Sequence, residues 1–213
     1  MTVPCLSPFS LVPFMTTHYY VIIDFECTCW EDRSIDAHEI IEFPAIIMNS
    51  RTLQIEYEFQ EYVRPTESPL LSDFCTALTG IRQSDVDHAD TLEIVLENFN
   101  YFLHENQIHN FTMCTDGPWD FIRFLYPETN RKSIPYPDWA NSWIDIRLRF
   151  QKSFRLNRRQ NVDGMLKILG MEFQGRPHSG IDDARNIARI ARAIHERDLT
   201  CGKMRPNRSI RNR

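Results

Sequence analysis

The sequence predicts an α/β domain with a mixed central sheet flanked by helices. Three β-rich segments come first, and shorter apolar segments after them alternate with stretches of helical periodicity. This order is typical of a sheet that contains both antiparallel and parallel strand pairs. The 213 residues suit one hydrophobic core and a short tail. We therefore expect a folded domain at 18–200, between a disordered extension at 1–17 and a basic tail at 201–213.

The three initial strands are indicated by residue type and by turn signals. Residues 19–25 are rich in Tyr, Val and Ile, which favour strands. Strands at 39–48 and 53–63 follow, and the polar residues between them suit a hairpin turn. In the third strand apolar residues alternate with Gln and Glu, so we expect one of its faces to be solvated.

The later elements are indicated by capping signals and helical spacing. A short helix at 71–78 is expected to end at Gly80. Asp90 and Glu93 have the spacing of a capping box, and apolar residues recur at helical intervals behind them: Leu92, Val95, Leu96, Phe99 and Leu103. The remaining elements are a strand at 108–114, a helix that begins at Pro118, a strand at 142–146 followed by a basic helix, a helix at 162–169 and a last helix at 180–197.

The composition is that of an intracellular protein without a membrane anchor. The apolar runs are too short to cross a bilayer, and residues 1–17 lack the Lys or Arg that a secretory signal needs. The six cysteines show no paired spacing, which predicts reduced thiols and a cytoplasmic or nuclear location. Cys27 and Cys29 with His38 form only a weak zinc pattern, because no second cysteine pair accompanies them.

Two acids lie one residue apart at the end of the first strand. Asp24 and Glu26 point to the same face because side chains alternate along a strand, and Asp24 shares that face with the apolar Ile22. Two carboxylates beside a buried strand repel each other and lose hydration, so they are tolerated mainly when a divalent cation lies between them. The alternative is an exposed strand end with two solvated acids, which the preceding apolar residues disfavour.

Two more acids flank a Gly-Pro turn after the fourth predicted strand. Asp116 lies where Asp commonly forms a cap or a turn, so we expect it to be at most an additional group behind the metal ligands. Asp120 lies in the first turn of the next helix, four residues before the apolar Phe124. A carboxylate on the inward edge of a helix suits a metal site, and Asp120 is therefore the predicted ligand.

The last helix begins near His178, and its periodicity distinguishes two neighbouring acids. Apolar residues at helical spacing mark its buried face: Ile187, Ile190, Ala191 and Ile194. Asp183 is four residues before Ile187 and lies on this face, whereas Asp182 lies to one side and has capping-box spacing from Ser179. Asp183 is therefore the predicted site residue. His178, five residues before it, is predicted to act as a general base over a metal site.

These motifs resemble the DEDDh 3′–5′ exonucleases. The resemblance rests on Asp24-Phe-Glu, on Trp119-Asp, and on His178 followed by Asp183. Within that superfamily, five segments resemble the enhanced-RNAi exonuclease group, which includes the histone-mRNA 3′ exonuclease and the prion-interactor exonuclease. These segments are residues 24–30, 39–44, 78–81, 115–120 and 175–183. The resemblance extends over roughly residues 18–198.

The resemblance implies an RNase H-like fold and a 3′–5′ exoribonuclease that releases nucleoside 5′-monophosphates from RNA 3′ ends. It places two Mg²⁺ or Mn²⁺ ions among four acids: Asp24, Glu26, Asp120 and Asp183. It further implies that Glu26 and His178 are catalytic, and that both of them and the backbone at Cys27 contact the terminal nucleotide. The histone-mRNA enzyme has an additional N-terminal nucleic-acid module, for which this sequence has no room, so specific stem-loop recognition is not expected.

Other functions are left open by the sequence. A DNA 3′–5′ exonuclease would use the same acids, because RNA is distinguished by contacts to its 2′-hydroxyl groups. A catalytically silent RNA-binding adaptor would share the fold without needing every polar site residue. The net charge of −5 argues against a protein that coats nucleic acid, although basic residues cluster at 147–159 and 203–213. A solvated helix face and a frayed tail are the simpler interpretations of these clusters, and no protein partner is indicated.

Overall fold

The computed structural model describes residues 17–32 and 37–198, together with a two-residue strand near the C-terminus. In this part of the chain seven strands form one sheet: β1 (Tyr19–Ile23), β2 (Glu26–Cys27), β3 (Ile40–Asn49), β4 (Ile55–Tyr62), β5 (Phe111–Thr115), β6 (Ser142–Asp145) and β7 (Arg208–Ser209). The α-helices are α1 (Asp73–Thr79), α2 (Gln83–Val86), α3 (Leu92–Glu105), α4 (Tyr126–Arg131), α5 (Ile146–Ser153), α6 (Val162–Ile168) and α7 (Gly180–Asp198).

The sheet is mixed, as predicted. β3 pairs antiparallel with β1 on one side and with β4 on the other. β1 also pairs parallel with β5, β5 pairs parallel with β6, and β7 pairs antiparallel with β6. Because β1, β5 and β6 run in the same direction, their carboxyl ends meet at one edge of the sheet.

Helices cover both faces of the sheet, and strand alternation decides which residues meet them. Val21 and Ile23 belong to the core that includes the apolar face of α3. Tyr20 and Ile22 belong to the core on the other face, with residues of α5, α6 and α7. Asp24 continues this second set and therefore lies on the α7 side of the sheet.

β1 and β2 are one strand that is interrupted opposite a proline. Ile23 pairs with Ala45 and Glu26 pairs with Glu42, so the register is the same on both sides of the interruption. This register places Pro44 opposite Asp24, and a proline has no N–H to donate to the ladder. The strand therefore keeps its direction through the gap, and Asp24 and Glu26 stay on one face, as predicted.

Most helix ends agree with the sequence, but the capping box predicted for α3 is wrong. α1 begins after Ser72, whose hydroxyl accepts the N–H of Cys75, and ends at Gly80 with φ 78°. The capping box predicted for Asp90 does not form, because α3 begins after Thr91 and has no side-chain cap. The carbonyl oxygen of Asp90 instead accepts the N–H of Arg64. The predicted apolar face of α3 is buried.

The helix predicted at Pro118 begins as a π-helical segment over Asp120–Leu125 and continues as α4. A π-helical turn widens the spacing of side chains, and such turns are frequent at functional sites. The short 3₁₀ segment Asp138–Asn141 then leads into β6.

Most of the predicted N-terminal extension and C-terminal tail lies outside the described residues. This holds for the extension at 1–17 except its last residue, and for the tail at 201–213 except Arg208–Ser209, whose backbone forms β7. None of the helices in the described part of the chain has the length and apolar character that crossing a bilayer requires.

The first residue of α7 is in close contact with the β1–β2 strand. A Cβ atom on Gly180 would lie 2.7 Å from the carbonyl oxygen of Asp24 and 3.1 Å from Oε2 of Glu42. We expect Gly180→Ala to displace the helix start and to lower the free energy of unfolding by about 1–3 kcal/mol, measured by urea denaturation.

Gly164→Ala in α6 is the matched control, because the three atoms nearest to its new Cβ belong to the side chains of Gln160 and Asn161 rather than to the backbone. Equal destabilisation by both substitutions would contradict the close packing at Gly180.

Candidate active site

A cavity of about 840 Å³ opens at the sheet edge where β1, β5 and β6 end. Six acids line it from separate parts of the chain: Asp24, Glu26, Glu31, Asp116, Asp163 and Asp183. The lining also includes the apolar residues Phe74 and Leu78 from α1, and His178 just before α7. The cavity thus joins an acidic floor to an apolar wall.

Asp24 and Glu26 are half-buried at the floor of this cavity. Burial, together with repulsion from Asp120 and Asp116, raises the pKa of Asp24 well above its usual range. Burial and the neighbouring charges of Asp183 and Glu42 raise the pKa of Glu26 to about 9. For both carboxyl groups, burial and the neighbouring negative charges therefore outweigh the positive charge of Arg147, which lines the same cavity.

Asp120 is buried, with 3% of its surface exposed, in the first turn of the π-helical segment. Its Oδ1 accepts the backbone N–H of Phe25 at 2.9 Å, which ties this segment to the residue between Asp24 and Glu26. Burial is the main cause that raises its pKa to about 7, and the charge of Asp116 adds to it. Asp120 thus lies directly behind the floor of the cavity rather than in its lining.

His178 and Asp183 are held together at the start of α7. Oδ2 of Asp183 accepts the backbone N–H of His178 at 2.7 Å. His178 has a left-handed backbone with φ 62°, and its side chain is exposed at the cavity. Burial is the main cause that raises the pKa of Asp183 to about 6. His178 and Asp183 are therefore close to each other, as predicted.

Asp182 has a structural role, but its partners differ from the predicted one. Its Oδ2 accepts the N–H of Arg176 at 2.9 Å, and its Oδ1 accepts from Nη1 of Arg185 at 3.0 Å. The expected partner was Ser179. The contacts of Asp182 fix the loop that leads to His178.

Two positioning interactions were not predicted from the sequence, although Asp116 itself was named as an additional group behind the metal ligands. Asp116 forms a two-bond ion pair with Arg147, at 2.8 Å to Nε and 2.5 Å to Nη2. Glu42 in β3 accepts the N–H groups of Gly180 and Ile181 at 3.0 and 3.2 Å, which anchors the start of α7. The sequence did contain one indication of the pair between Asp116 and Arg147, because Asp116 follows β5 and Arg147 follows β6, which are adjacent parallel strands.

The basic cluster at 147–159 is less available as a positive surface than the sequence suggested. Besides Arg147, Arg149 pairs with Asp198, and Arg159 lies 3.7 Å from Asp145. The basic tail at 203–213 lies outside the described residues apart from the backbone of β7.

The acids fit divalent cations by their chemistry. Carboxylate oxygens are the ligands that Mg²⁺ and Mn²⁺ prefer, and two such ions would offset the mutual repulsion of these groups. Within the described residues, however, no three His, Cys, Asp or Glu side chains are grouped so that they could hold a metal ion as they stand. Small side-chain rotations toward a shared cation would have to complete the coordination.

In the weak zinc pattern, one ring nitrogen of His38 is already engaged within the protein: its Nδ1 lies 2.6 Å from the carbonyl oxygen of Thr28. The four cysteines in the described part of the chain are free.

The raised pKa values predict that the metal-free protein loses stability as the pH rises. A carboxyl group with a raised folded-state pKa binds more protons when folded than when unfolded. Its contribution to stability is therefore complete below about pH 4, declines as the pH rises above that, and is lost once the pH has passed the folded-state pKa. For Asp120 and Glu26 these values are about 7 and about 9. We therefore expect the melting temperature in EDTA to fall from about pH 4.5 to about pH 9, more steeply below pH 7, where both groups contribute, than above it.

Glu26→Gln is the informative variant for this pH dependence, because it removes one of the repelled carboxyl groups. Its melting temperature should fall less over the same range, and Mn²⁺ should stabilise the unmodified protein more at high pH than at low pH. A metal-free melting temperature that rises equally in both proteins would contradict the assignment.

Comparisons with known proteins agree with this geometry. The exonuclease family model (RNase_T) matches residues 21–191. 3′-5′ exoribonuclease 1 from Homo sapiens is 44% identical over 178 residues, which cover 81% of this chain and 51% of that protein. ERI1 exoribonuclease 2 from Xenopus laevis is 44% identical over 193 residues, which cover 81% of this chain and 28% of that protein. The chain thus spans about half the length of the first relative and less of the second.

A solved structure supports the same assignment. The nuclease domain of 3′hExo, a DEDDh family member bound to rAMP, is 40% identical to this chain and superposes with a TM-score of 0.85. The match covers 92% of this chain and 99% of that domain. The RNase H-like fold that the motifs implied is confirmed. The chain therefore belongs to the exonuclease family and, within it, to the DEDDh group that includes 3′hExo.

Proposed function

We propose that this chain is a metal-dependent 3′–5′ exoribonuclease that releases nucleoside 5′-monophosphates from RNA 3′ ends. The observation that carries the proposal is the convergence of Asp24, Glu26 and Asp183 at one cavity, with Asp120 directly behind its floor and His178 at its edge. The family is metal-dependent, generally with Mg²⁺ or Mn²⁺. The proposed ligands are the four acids, and we infer that they hold two such ions.

When bound, the two ions would supply activation of the attacking water and stabilisation of the leaving 3′ oxygen. His178 would take the proton of the attacking water, because it is the exposed imidazole beside the acids. The hydrogen bond from its N–H to Asp183 fixes the backbone that carries this imidazole. Glu26 and the backbone at Cys27 would contact the terminal nucleotide, whose base would pack against the apolar wall of the cavity.

RNA as the substrate is supported by the relatives. One solved relative, 40% identical to this chain, is a 3′-exonuclease described in the 3′-end specific recognition of a histone mRNA stem-loop. For this chain we propose only that it acts on RNA 3′ ends, and we do not propose stem-loop recognition. The reason is that the relatives that carry this domain are longer than this chain.

The experiment is digestion of an RNA labelled at its 5′ end, in Mg²⁺ and in Mn²⁺. We expect a ladder that shortens from the 3′ end, with nucleoside 5′-monophosphates as the released product. The same RNA with a blocked 3′ end is the control and should resist digestion.

Three further substrates refine the test: an overhang, a stem-loop and a DNA of the same sequence. Internal cuts or shortening from the 5′ end would contradict the proposal. Equal rates on DNA and RNA would mean that the enzyme does not distinguish the two nucleic acids. If no nucleoside monophosphate is released with either metal, a catalytically silent adaptor would be favoured.

A further inference from the structure

Three exposed side chains follow one side of the π-helical segment and the start of α4. Trp119 and Tyr126 are 49% and 45% exposed, and Arg123 lies between them with an exposed side chain. The opposite side of the same segment carries the core residues Phe121 and Leu125, which are fully buried. Packing of the core therefore does not account for the two exposed rings. We call Trp119, Arg123 and Tyr126 the aromatic stripe.

The aromatic stripe is continuous with the active-site cavity. Trp119 and Arg123 belong to the lining of that cavity, and Tyr126 lies three residues further along the helix. From Trp119 to Tyr126 the helical rise gives at most about 10 Å, which is roughly the length of two to three stacked nucleotides. The stripe thus begins beside the acids and leads away from them.

The positive charge of the stripe is not neutralised within the described part of the chain. The guanidinium of Arg123 lies 5.9 Å from the centre of the Trp119 ring, and no acid there forms an ion pair with it. By contrast, Arg147 in the same cavity is held by Asp116. An unpaired cation over an exposed ring beside an acidic cavity is suited to a phosphate and a base rather than to metal coordination.

The position of Tyr126 is fixed by a second ring. Tyr136 packs edge-on against it, with ring centres 5.5 Å apart and an interplanar angle of 80°. This contact leaves Tyr126 partly exposed while restricting its ring. A restricted, exposed ring stacks on a base at a lower entropic cost than a free one.

We propose that the aromatic stripe binds single-stranded RNA on the 5′ side of the terminal nucleotide. Trp119 and Tyr126 would stack on bases, and Arg123 would contact the phosphate between them. The inference rests on the proposed exoribonuclease function and adds a substrate requirement to it: a single-stranded 3′ end several nucleotides long. A dinucleotide would fill the catalytic cavity and leave Tyr126 without a partner.

The test uses the full chain and single-stranded RNAs of two, three, four, six and ten nucleotides with identical 3′ ends. For the unmodified protein we expect kcat/KM to rise with length and to level off once the stripe is covered. In Tyr126→Ala and Arg123→Gln the ratio of kcat/KM for the longest to the shortest RNA should fall roughly tenfold. Arg123→Gln should also weaken the dependence of KM on salt concentration.

Two control substitutions remove a similar side chain elsewhere. Tyr101→Ala removes an exposed ring on α3, and Arg51→Gln removes an exposed cation in the β3–β4 turn. Both should keep the length dependence of the unmodified protein. Tyr126→Phe keeps the ring and should restore the length dependence that Tyr126→Ala loses.

Binding of the ten-nucleotide RNA, measured by fluorescence anisotropy in EDTA, separates this inference from the proposed function. If no RNA is hydrolysed, the proposed function fails, and a loss of affinity in Tyr126→Ala and Arg123→Gln still supports the stripe. If hydrolysis occurs but the length ratio and the affinity are unchanged in both variants, the stripe is not an RNA site.

Discussion

Replacing Asp24 by Asn is expected to lower the rate of RNA hydrolysis by about 10³-fold or more. The substitution removes a carboxylate that is surrounded by Asp120, Asp116 and Asp183. The remaining acids would then lack a shared ligand for the two cations. The same change removes a repelled charge, so the metal-free protein should become more stable at neutral pH even as activity is lost.

Asp163→Asn is the matched control for Asp24→Asn. Asp163 also lines the cavity, but its Oδ2 is paired with Nζ of Lys167 at 2.7 Å on an exposed turn of α6. Hydrolysis should change little in this variant. Single-turnover rates in Mg²⁺ and melting temperatures in EDTA check both parts of the prediction, and normal activity of Asp24→Asn would contradict the site.

Replacing His178 by Ala is expected to lower kcat by roughly 10²–10⁴-fold, the usual contribution of a general base. The hydrogen bond that Asp183 accepts comes from the backbone N–H of residue 178, so it does not require the imidazole. Binding of Mn²⁺ should therefore be retained in His178→Ala. This separation distinguishes a proton acceptor from a residue that shapes the metal site.

His109→Ala serves as the control for His178→Ala, because His109 is exposed outside the cavity lining. Added imidazole should restore part of the activity of His178→Ala and should leave the control unaffected. Unchanged turnover in His178→Ala, or a loss of Mn²⁺ binding equal to the loss of activity, would remove its assignment as the base.

Local periodicity was sufficient for the parts of the site that lie on regular elements. The i, i+4 relation to Ile187 separated Asp183 from Asp182, and the structure shows Asp183 at the cavity and Asp182 bound to Arg176 and Arg185. The alternation of β1 likewise placed Asp24 and Glu26 on one face.

The remaining features depend on residues that are distant in the sequence. The interruption between β1 and β2 comes from Pro44 on the neighbouring strand, so no local pattern reveals it. The ion pair of Asp116 with Arg147 and the hold of Glu42 on α7 connect segments that meet only in the folded chain.

The π-helical segment before α4 is a further feature that the sequence pattern did not show. Its widened turn accompanies the hydrogen bond from Phe25 to Asp120 and the exposure of Trp119. An α-helical pattern places the same apolar residues inward, so periodicity alone does not distinguish the two geometries.

The most direct measurement is a titration of the metal-free protein with Mn²⁺ in the presence of a nucleoside 5′-monophosphate, with free Mn²⁺ followed by electron paramagnetic resonance. Our account predicts two ions bound per chain, fewer in Asp24→Asn and in Asp183→Asn, and no change in Asp163→Asn. The same stoichiometry and affinity in all four proteins, or no binding by the unmodified chain, would contradict a metal site built from these acids.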